Sequence, residues 1–167
     1  MTDEQRRIRE YLQAQGAKLS PAEVIEKVRA AMADLRRAAL AVPAARFDER
    51  PAPDEWSGNE VMAHVVDAGR HFGDQIVAIL DGGARVTSAR ERVQRARRPA
   101  GEWCAILERD REALFARVLV ADPHANLDET IEHPMFGPLT WRETMLFTRL
   151  HDLDHAGQLQ KIAAALA

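Results

Sequence analysis

The chain has 167 residues, of which 29% are charged and 46% are hydrophobic, with a formal net charge of −3 and one cysteine. This balance fits a single soluble domain, the slightly acidic charge argues against a nucleic-acid-binding protein, and one cysteine excludes an internal disulfide. No stretch reaches the roughly 20 apolar residues of a membrane-spanning helix, and the N-terminus lacks the apolar core of a secretion signal. We therefore expect a cytoplasmic protein that binds neither nucleic acid nor membrane.

The first predicted element is a short helix over residues 2–15, which Gly16 is expected to end. We assign residues 1–19 to an N-terminal extension. Residues 20–167 are assigned to the main domain.

Three capping boxes open three long helices in the main domain. In each box a Ser or Thr is followed three residues later by Glu, so that two side chains satisfy free backbone donors at a helix start. The boxes begin at Ser20, Ser57 and Thr140 and predict helices over about 21–41, 58–80 and 141–166. The apolar spacing predicts another helix over about 101–120. Four long helices with few β-rich stretches predict an all-α four-helix bundle.

Two long connections join these helices, over residues 42–56 and 121–139. The second contains HPMFGPLT, whose two prolines and glycine predict a short extended turn. Another segment, Arg85–Arg98, carries six arginines and a further capping-box pattern at Ser88. We interpret it as a solvated surface; the alternative is a patch that attracts an acidic substrate.

Two histidines of the last helix, His151 and His155, are four residues apart, so both side chains leave the same face about one turn apart. This spacing lets two imidazoles bind one ion at about 2.0–2.1 Å. A third ligand must come from elsewhere. His64 is the best candidate, because it lies at the edge of the apolar stripe on its helix. His71, seven residues later, is the runner-up.

A structural interpretation stays open at this point, because a histidine on a half-apolar face is commonly a hydrogen-bonded structural residue. His71 is expected to be ordinary and partly exposed, and His124 and His133 would have to fold back from the last connection. Three acids are predicted to be solvated or capping charges: Asp67, Asp152 and Asp154. Asp154 and Gln158 are the alternatives for orienting the imidazoles from behind.

Two segments carry a family resemblance: WSGNEVMAHVVDAGRHF in the second long helix and HPMFGPLTWRETMLFTRLHDLDHAGQLQKI near the C-terminus. They resemble the DinB-like (DinB/YfiT-like) superfamily, and the resemblance covers about residues 20–165. It implies an up-down-down-up four-helix bundle in which His64, His151 and His155 bind one divalent metal. Nickel or zinc is the expected ion, and such a donor set also accepts iron. The resemblance further implies a homodimer.

Members of this superfamily include thiol S-transferases and maleylpyruvate isomerases. The resemblance therefore implies a metal-dependent transferase or hydrolase acting on a small molecule, such as a low-molecular-weight thiol. The alternative is a non-catalytic, metal-stabilised binding protein or stress-related scaffold. A polar cluster beside the ion would favour the enzyme. The sequence offers Asp67 and Thr148 for this role, although each fits a structural role equally well.

The remaining conspicuous side chains are interpreted as structural. Trp56, Trp103 and Trp141 are predicted to pack in the core or against helix caps. Cys104 is predicted to be a small buried hydrophobe rather than a nucleophile, because it is surrounded in sequence by apolar residues and has no nearby histidine.

Overall fold

Five α-helices and one β-hairpin form the described part of the chain, which covers residues 1–82 and 92–167 of a computed structural model. The helices are α1 (Asp3–Lys18), α2 (Pro21–Ala41), α3 (Gly58–Leu80), α4 (Ala100–Leu119) and α5 (Trp141–Ala165). The hairpin strands are β1 (Ile131–His133) and β2 (Gly137–Leu139), and a 3₁₀ turn spans Ala44–Arg46. The predicted all-α class is confirmed.

All three predicted capping boxes are present. Ser20, Ser57 and Thr140 each accept a hydrogen bond from the backbone N–H of the glutamate three residues later. Thr2 forms a fourth box with Gln5. α4 begins after Pro99 without a side-chain cap, and Asn59 of α3 accepts hydrogen bonds from the backbone N–H of Arg98 and the indole N–H of Trp103 at this point. The box predicted at Ser88 lies outside the described residues.

Contacts between α3 and α4 show that these two helices are parallel. Near their starts the indole N–H of Trp103 donates to Asn59 at 2.8 Å, and near their ends Arg117 pairs with Asp81 at 2.8 Å. α2 runs the opposite way along α4, because Arg29 pairs with Glu112 while Arg36, two turns further on, pairs with Glu108.

α5 runs parallel to α2. At one end Arg142 donates to the carbonyl of Leu19, and at the other Arg46 donates to the carbonyl of Leu166 at 2.8 Å. The directions along the chain are therefore up for α2, down for α3 and α4, and up for α5. This is the up-down-down-up arrangement that the resemblance implied. Closely packed neighbours are α2 with α5, α5 with α3, α3 with α4, and α4 with α2.

α1 packs antiparallel against α5 and is one turn longer than predicted. The prediction that Gly16 ends this helix is wrong. Gly16 lies inside α1 where it crosses the first turn of α5, and a Cβ added there would lie 2.9 Å from Cγ of Glu143. Glycine is needed at this position for close approach of the helices rather than for a helix stop. Leu12 of α1 is fully buried.

The second long connection forms the predicted extended turn as an antiparallel hairpin. Ile131 pairs with Leu139, and both side chains are buried. Gly137 has φ +72°, a left-handed conformation that favours glycine. The hairpin packs against α3 and α5 and covers the middle of the bundle.

No helix within residues 1–82 and 92–167 combines the length and apolar character needed to cross a membrane.

Candidate metal centre

Three histidines from two helices meet near the middle of the bundle. His64 lies in the second turn of α3, and His151 and His155 lie in the central turns of α5. Nε2 of His151 is 3.1 Å from Nε2 of His64, 87 residues away in the chain, and 3.1 Å from Nε2 of His155. The antiparallel packing of α3 against α5 therefore brings these three imidazoles to one point.

The geometry fits a shared cation. One ligand nitrogen from each of the three histidines lies within 4.8 Å of the others. Two nitrogens that bind one zinc ion at about 2.0–2.1 Å, with an angle of about 90–110° between them, lie roughly 2.9–3.4 Å apart. The observed 3.1 Å falls within this range.

Gln158 fixes the protonation of one imidazole. Its Oε1 lies 2.8 Å from Nδ1 of His155. An amide oxygen only accepts, so Nδ1 carries the proton and the lone pair of His155 is on Nε2, the atom that faces the other histidines. Of the two residues named as alternatives for orienting the imidazoles, Gln158 makes the contact, whereas Asp154 is exposed, as predicted for a solvated charge.

The environment favours neutral imidazoles. Burial, together with the neighbouring His155, His64 and Arg111, lowers the pKa of His151 to about 2. Burial and His155 also lower the pKa of His64, with Asp67 opposing them. A neutral imidazole keeps the lone pair that a metal requires, so these shifts leave the ring nitrogens ready to bind a cation at neutral pH.

A buried ion pair lies beside this cluster. Arg111 of α4 donates two hydrogen bonds to Asp152 of α5, at 2.9 and 3.0 Å, and the two side chains are 3% and 0% exposed. The prediction that Asp152 is a solvated or capping charge is wrong, because α5 is enclosed on the side that carries it. The available signal was the position of Arg111 on the inner face of α4, between Leu107 and Phe115.

The other histidines do not join the cluster. His71 bonds to Gln75 on its own helix, and His124 is exposed. His133 does fold back, but its Nδ1 accepts the backbone N–H groups of Met135 and Phe136 at 3.1 and 3.3 Å.

The ring of His133 belongs to an aromatic cluster. It stacks between Phe72 and Phe136 and contacts Phe147, whose ring centroid is 5.6 Å from that of His151. These rings enclose the side of His151 that faces the hairpin. Sequence reasoning missed this role because, of the rings around His133, only Phe136 is near it in the chain, whereas Phe72 and Phe147 come from α3 and α5.

Trp56 also borders the centre. Its ring centroid is 5.2 Å from that of His64, and 38% of the residue is exposed. The prediction of core packing is confirmed for Trp103 and Trp141, which are fully buried, and is wrong for Trp56. The reason is that the connection before α3 ends at the solvent-exposed side of the histidine cluster rather than in the core.

The polar candidates beside the centre differ in their contacts. Thr148 donates back to the carbonyl of Thr144 at 3.2 Å, the structural alternative. Asp67 accepts the backbone N–H of Val93 at 2.8 Å through Oδ1, while its buried Oδ2 has no hydrogen-bond partner among the described residues.

Cys104 is buried, and burial raises the pKa of its thiol, which fits the predicted small core residue.

In the arginine-rich segment, Arg85 and Arg90 lie outside the described residues. Those after position 91 are exposed, and Arg97 pairs with Asp48 and Arg98 with Glu102, as a solvated surface does.

Comparison with known proteins gives one match. A family model, described as the DinB superfamily, matches residues 26–159, a range that contains all three clustered histidines. Neither the curated proteins nor the solved structures include a significant match. On the extent of the family match, which agrees with the helical bundle, this chain belongs to the DinB superfamily.

Proposed function

We propose that the protein is a metal-dependent enzyme in which His64, His151 and His155 hold one divalent ion, nickel or zinc, with iron also accepted. The observation that carries the proposal is the convergence of three Nε2 atoms from α3 and α5, with 3.1 Å separations from that of His151. Three uncharged ligands leave the ion its full charge and leave coordination positions for a substrate.

The chain's own residues support this role in two ways. Gln158 holds the proton of His155 on Nδ1, so that Nε2 stays a lone-pair donor. Burial keeps His151 uncharged at neutral pH, so that protons compete little with a metal.

We further propose that the reaction is transfer of a small thiol to an electrophile, with a related hydrolysis as the alternative. An ion bound by three imidazoles supplies the positive charge that ionises a thiol at neutral pH. The family relationship and the cavity beside His155 support a small-molecule substrate.

Metal analysis of the purified protein tests the centre. We expect near-stoichiometric metal in the parent protein and loss of it in His64→Ala and in His151→Ala. His71→Ala is the matched control, because His71 is on the same helix and half-buried but does not face the cluster. Equal metal content in all four proteins would refute the centre.

A second experiment separates the enzyme from the alternative of a metal-stabilised scaffold. Loaded and metal-stripped protein are assayed for conjugation of small thiols to 1-chloro-2,4-dinitrobenzene. A rate that depends on the metal supports the enzyme. A large loss of thermal stability on stripping, with no thiol conjugation in either form, supports the scaffold.

The homodimer and the cytoplasmic location stay predictions. Size-exclusion chromatography with light scattering tests the first, and subcellular fractionation tests the second.

A further inference from the structure

A cavity of about 590 Å³ adjoins the histidine centre. One of its walls comes from the connection before α3, with Asp54, Glu55 and Trp56. The other comes from the second half of α5, with His155, Gln158 and Lys161. The cavity therefore shares His155 with the centre and Trp56 with its border. A volume of this size suits a small organic molecule.

Trp56 differs from the other two tryptophans in a way that points to a ligand. The indole N–H groups of Trp103 and Trp141 donate to Asn59 and to the carbonyl of Ala125. The indole N–H of Trp56 has no hydrogen-bond partner in the described part of the chain, and its ring is partly open to the cavity. A large aromatic surface left open beside a polar cluster is typical of the wall of a ligand site.

The two walls carry opposite charges. Asp54 and Glu55 are acidic and exposed on one wall, and Lys161 is basic and exposed on the other. None of these three forms an ion pair within residues 1–82 and 92–167. Each is therefore available to a charged group of a bound molecule, in contrast to arginines such as Arg29, Arg46 and Arg50, which are paired with glutamates.

We propose that this cavity binds the substrate of the histidine centre and that the substrate is a small zwitterion. Its ammonium group would face Asp54 and Glu55, its carboxylate would face Lys161, and its apolar part would lie on Trp56. This inference rests on the proposed function, since it places the reacting atom of the substrate near His155. It adds the charge class of the substrate and the residues that select it.

The test compares charge variants with four small thiols on the metal-loaded protein. L-Cysteine carries both charges, cysteamine only the positive one, 3-mercaptopropionate only the negative one, and 2-mercaptoethanol neither. Binding is followed by calorimetry in every variant and also by tryptophan fluorescence in the variants that keep Trp56. Because some of these thiols can also chelate the ion, each probe is compared with itself across the variants.

Lys161→Gln should weaken L-cysteine and 3-mercaptopropionate by about fivefold each and leave the other two unchanged, since single exposed charge pairs have effects of this order. The double variant Asp54→Asn, Glu55→Gln should weaken L-cysteine and cysteamine but not 3-mercaptopropionate, which loses only the repulsion of two like charges. Trp56→Ala should weaken all four by roughly two- to tenfold, and Trp56→Phe should restore part of that loss. Lys27→Gln, an exposed lysine on α2 that does not line the cavity, is the control.

Three outcomes would overturn the inference. Equal affinities across all variants, on protein that still holds its metal, would refute the charge assignment and leave the proposed function standing. Weaker binding of L-cysteine in Lys161→Gln together with unchanged binding of L-cysteine and cysteamine in the acid-to-amide double variant would show a site for anions instead of zwitterions. A parent protein that binds no metal would refute the proposed function and this inference together.

Discussion

Two polar groups occupy neighbouring positions on α5 and meet the cost of burial in different ways. Asp152 receives both hydrogen bonds it needs from Arg111, and the pair is complete without any outside group. His151, one residue earlier, faces two other imidazoles through Nε2 atoms that lie 3.1 Å from its own Nε2. A neutral imidazole has one N–H and one lone pair, so a single proton on Nε2 of His151 serves only one of these two neighbours, whereas a cation is bound by all three nitrogens at once.

A stabilising ion pair and a candidate binding site therefore lie within one turn of the same helix. An ion pair that the chain completes by itself serves the fold, whereas a set of ligands that the chain leaves incomplete serves something that binds. Substitutions in the ion pair and in the histidine cluster should therefore affect different properties of the protein. Changes to the ion pair should reduce stability first, and changes to the cluster should reduce metal affinity first.

The largest effect is expected from Asp152→Asn. This variant keeps the shape of the side chain but leaves the Arg111 guanidinium buried without a counter-charge, which should lower the free energy of unfolding by about 3–5 kcal/mol. Urea denaturation measures it. Glu112→Gln, which removes the exposed partner of Arg29, should cost no more than about 1 kcal/mol. A loss of no more than about 1 kcal/mol in both variants would contradict a stabilising role of the buried ion pair.

Replacing both members of the pair refines this expectation. Arg111→Met with Asp152→Leu removes the two charges together and fills their space with apolar atoms. It should recover most of the stability that Asp152→Asn loses, because buried ion pairs are commonly replaceable by hydrophobic residues.

The next effect is the gain in stability on loading the metal. At a free metal concentration about one hundred times the dissociation constant, binding to the folded state alone should raise the free energy of unfolding by about 2.7 kcal/mol. For a domain of this size that corresponds to roughly 5–11 °C in melting temperature. Thermal denaturation with and without metal measures it. His64→Ala should show no such gain, and His71→Ala should show the full gain.

Gln158→Leu should act on affinity with little effect on the fold. It removes the acceptor that keeps the proton of His155 on Nδ1, and losses of this kind typically lower metal affinity by about 10- to 100-fold. Competition with a chromophoric chelator measures the affinity. Gln160→Leu, an exposed residue on the same helix, is the control. Equal affinities for the two variants would show that Gln158 does not orient the ligand.

The smallest expected effect is a pH dependence of the metal-free protein. The folded-state pKa of His151 is about 2, against an ordinary value of 6.5, so below pH 6.5 the unfolded chain takes up a proton that the folded chain does not. Stability should therefore fall with decreasing pH below this value, by about 1 kcal/mol between pH 6.5 and pH 5.5 and by about 1.4 kcal/mol per unit further down, from His151 alone.

Urea denaturation with chelator at about pH 6.5 and about pH 5.5 measures this loss. His151→Leu should reduce the slope, whereas His124→Gln, an exposed histidine, should leave it unchanged. A slope as steep in His151→Leu as in the parent would show that other groups cause the acid sensitivity.

The features that could be predicted from the sequence are those set by local spacing. A capping box needs only residues three apart, and all three predicted boxes open helices. The meeting of His151 with His155 needs only the period of one helix. His64 was preferred to His71 from its position at the edge of the apolar stripe, and the family resemblance implied the same residue.

The features that were missed depend on which segments pack together. Asp152 has the spacing of a solvated residue, and only its position opposite Arg111 makes it part of the core. Gly16 has the sequence context of a helix end, but its neighbour across the interface is Glu143. Trp56 directly precedes the N-cap of α3, but its ring also lies beside His64. In the first two cases the deciding partner lies far away in the chain.

α1 connects the N-terminal residues to the helix that carries most of the histidine cluster. It lies outside the range that the family model matches, yet Leu12 is fully buried, and Tyr11 accepts a hydrogen bond from Arg149, two residues before His151. α1 thus packs against α5, the helix that carries two of the three imidazoles. Proteolysis of α1, or a binding partner that displaced it from α5, would allow the distances between those rings to vary without contacting the rings.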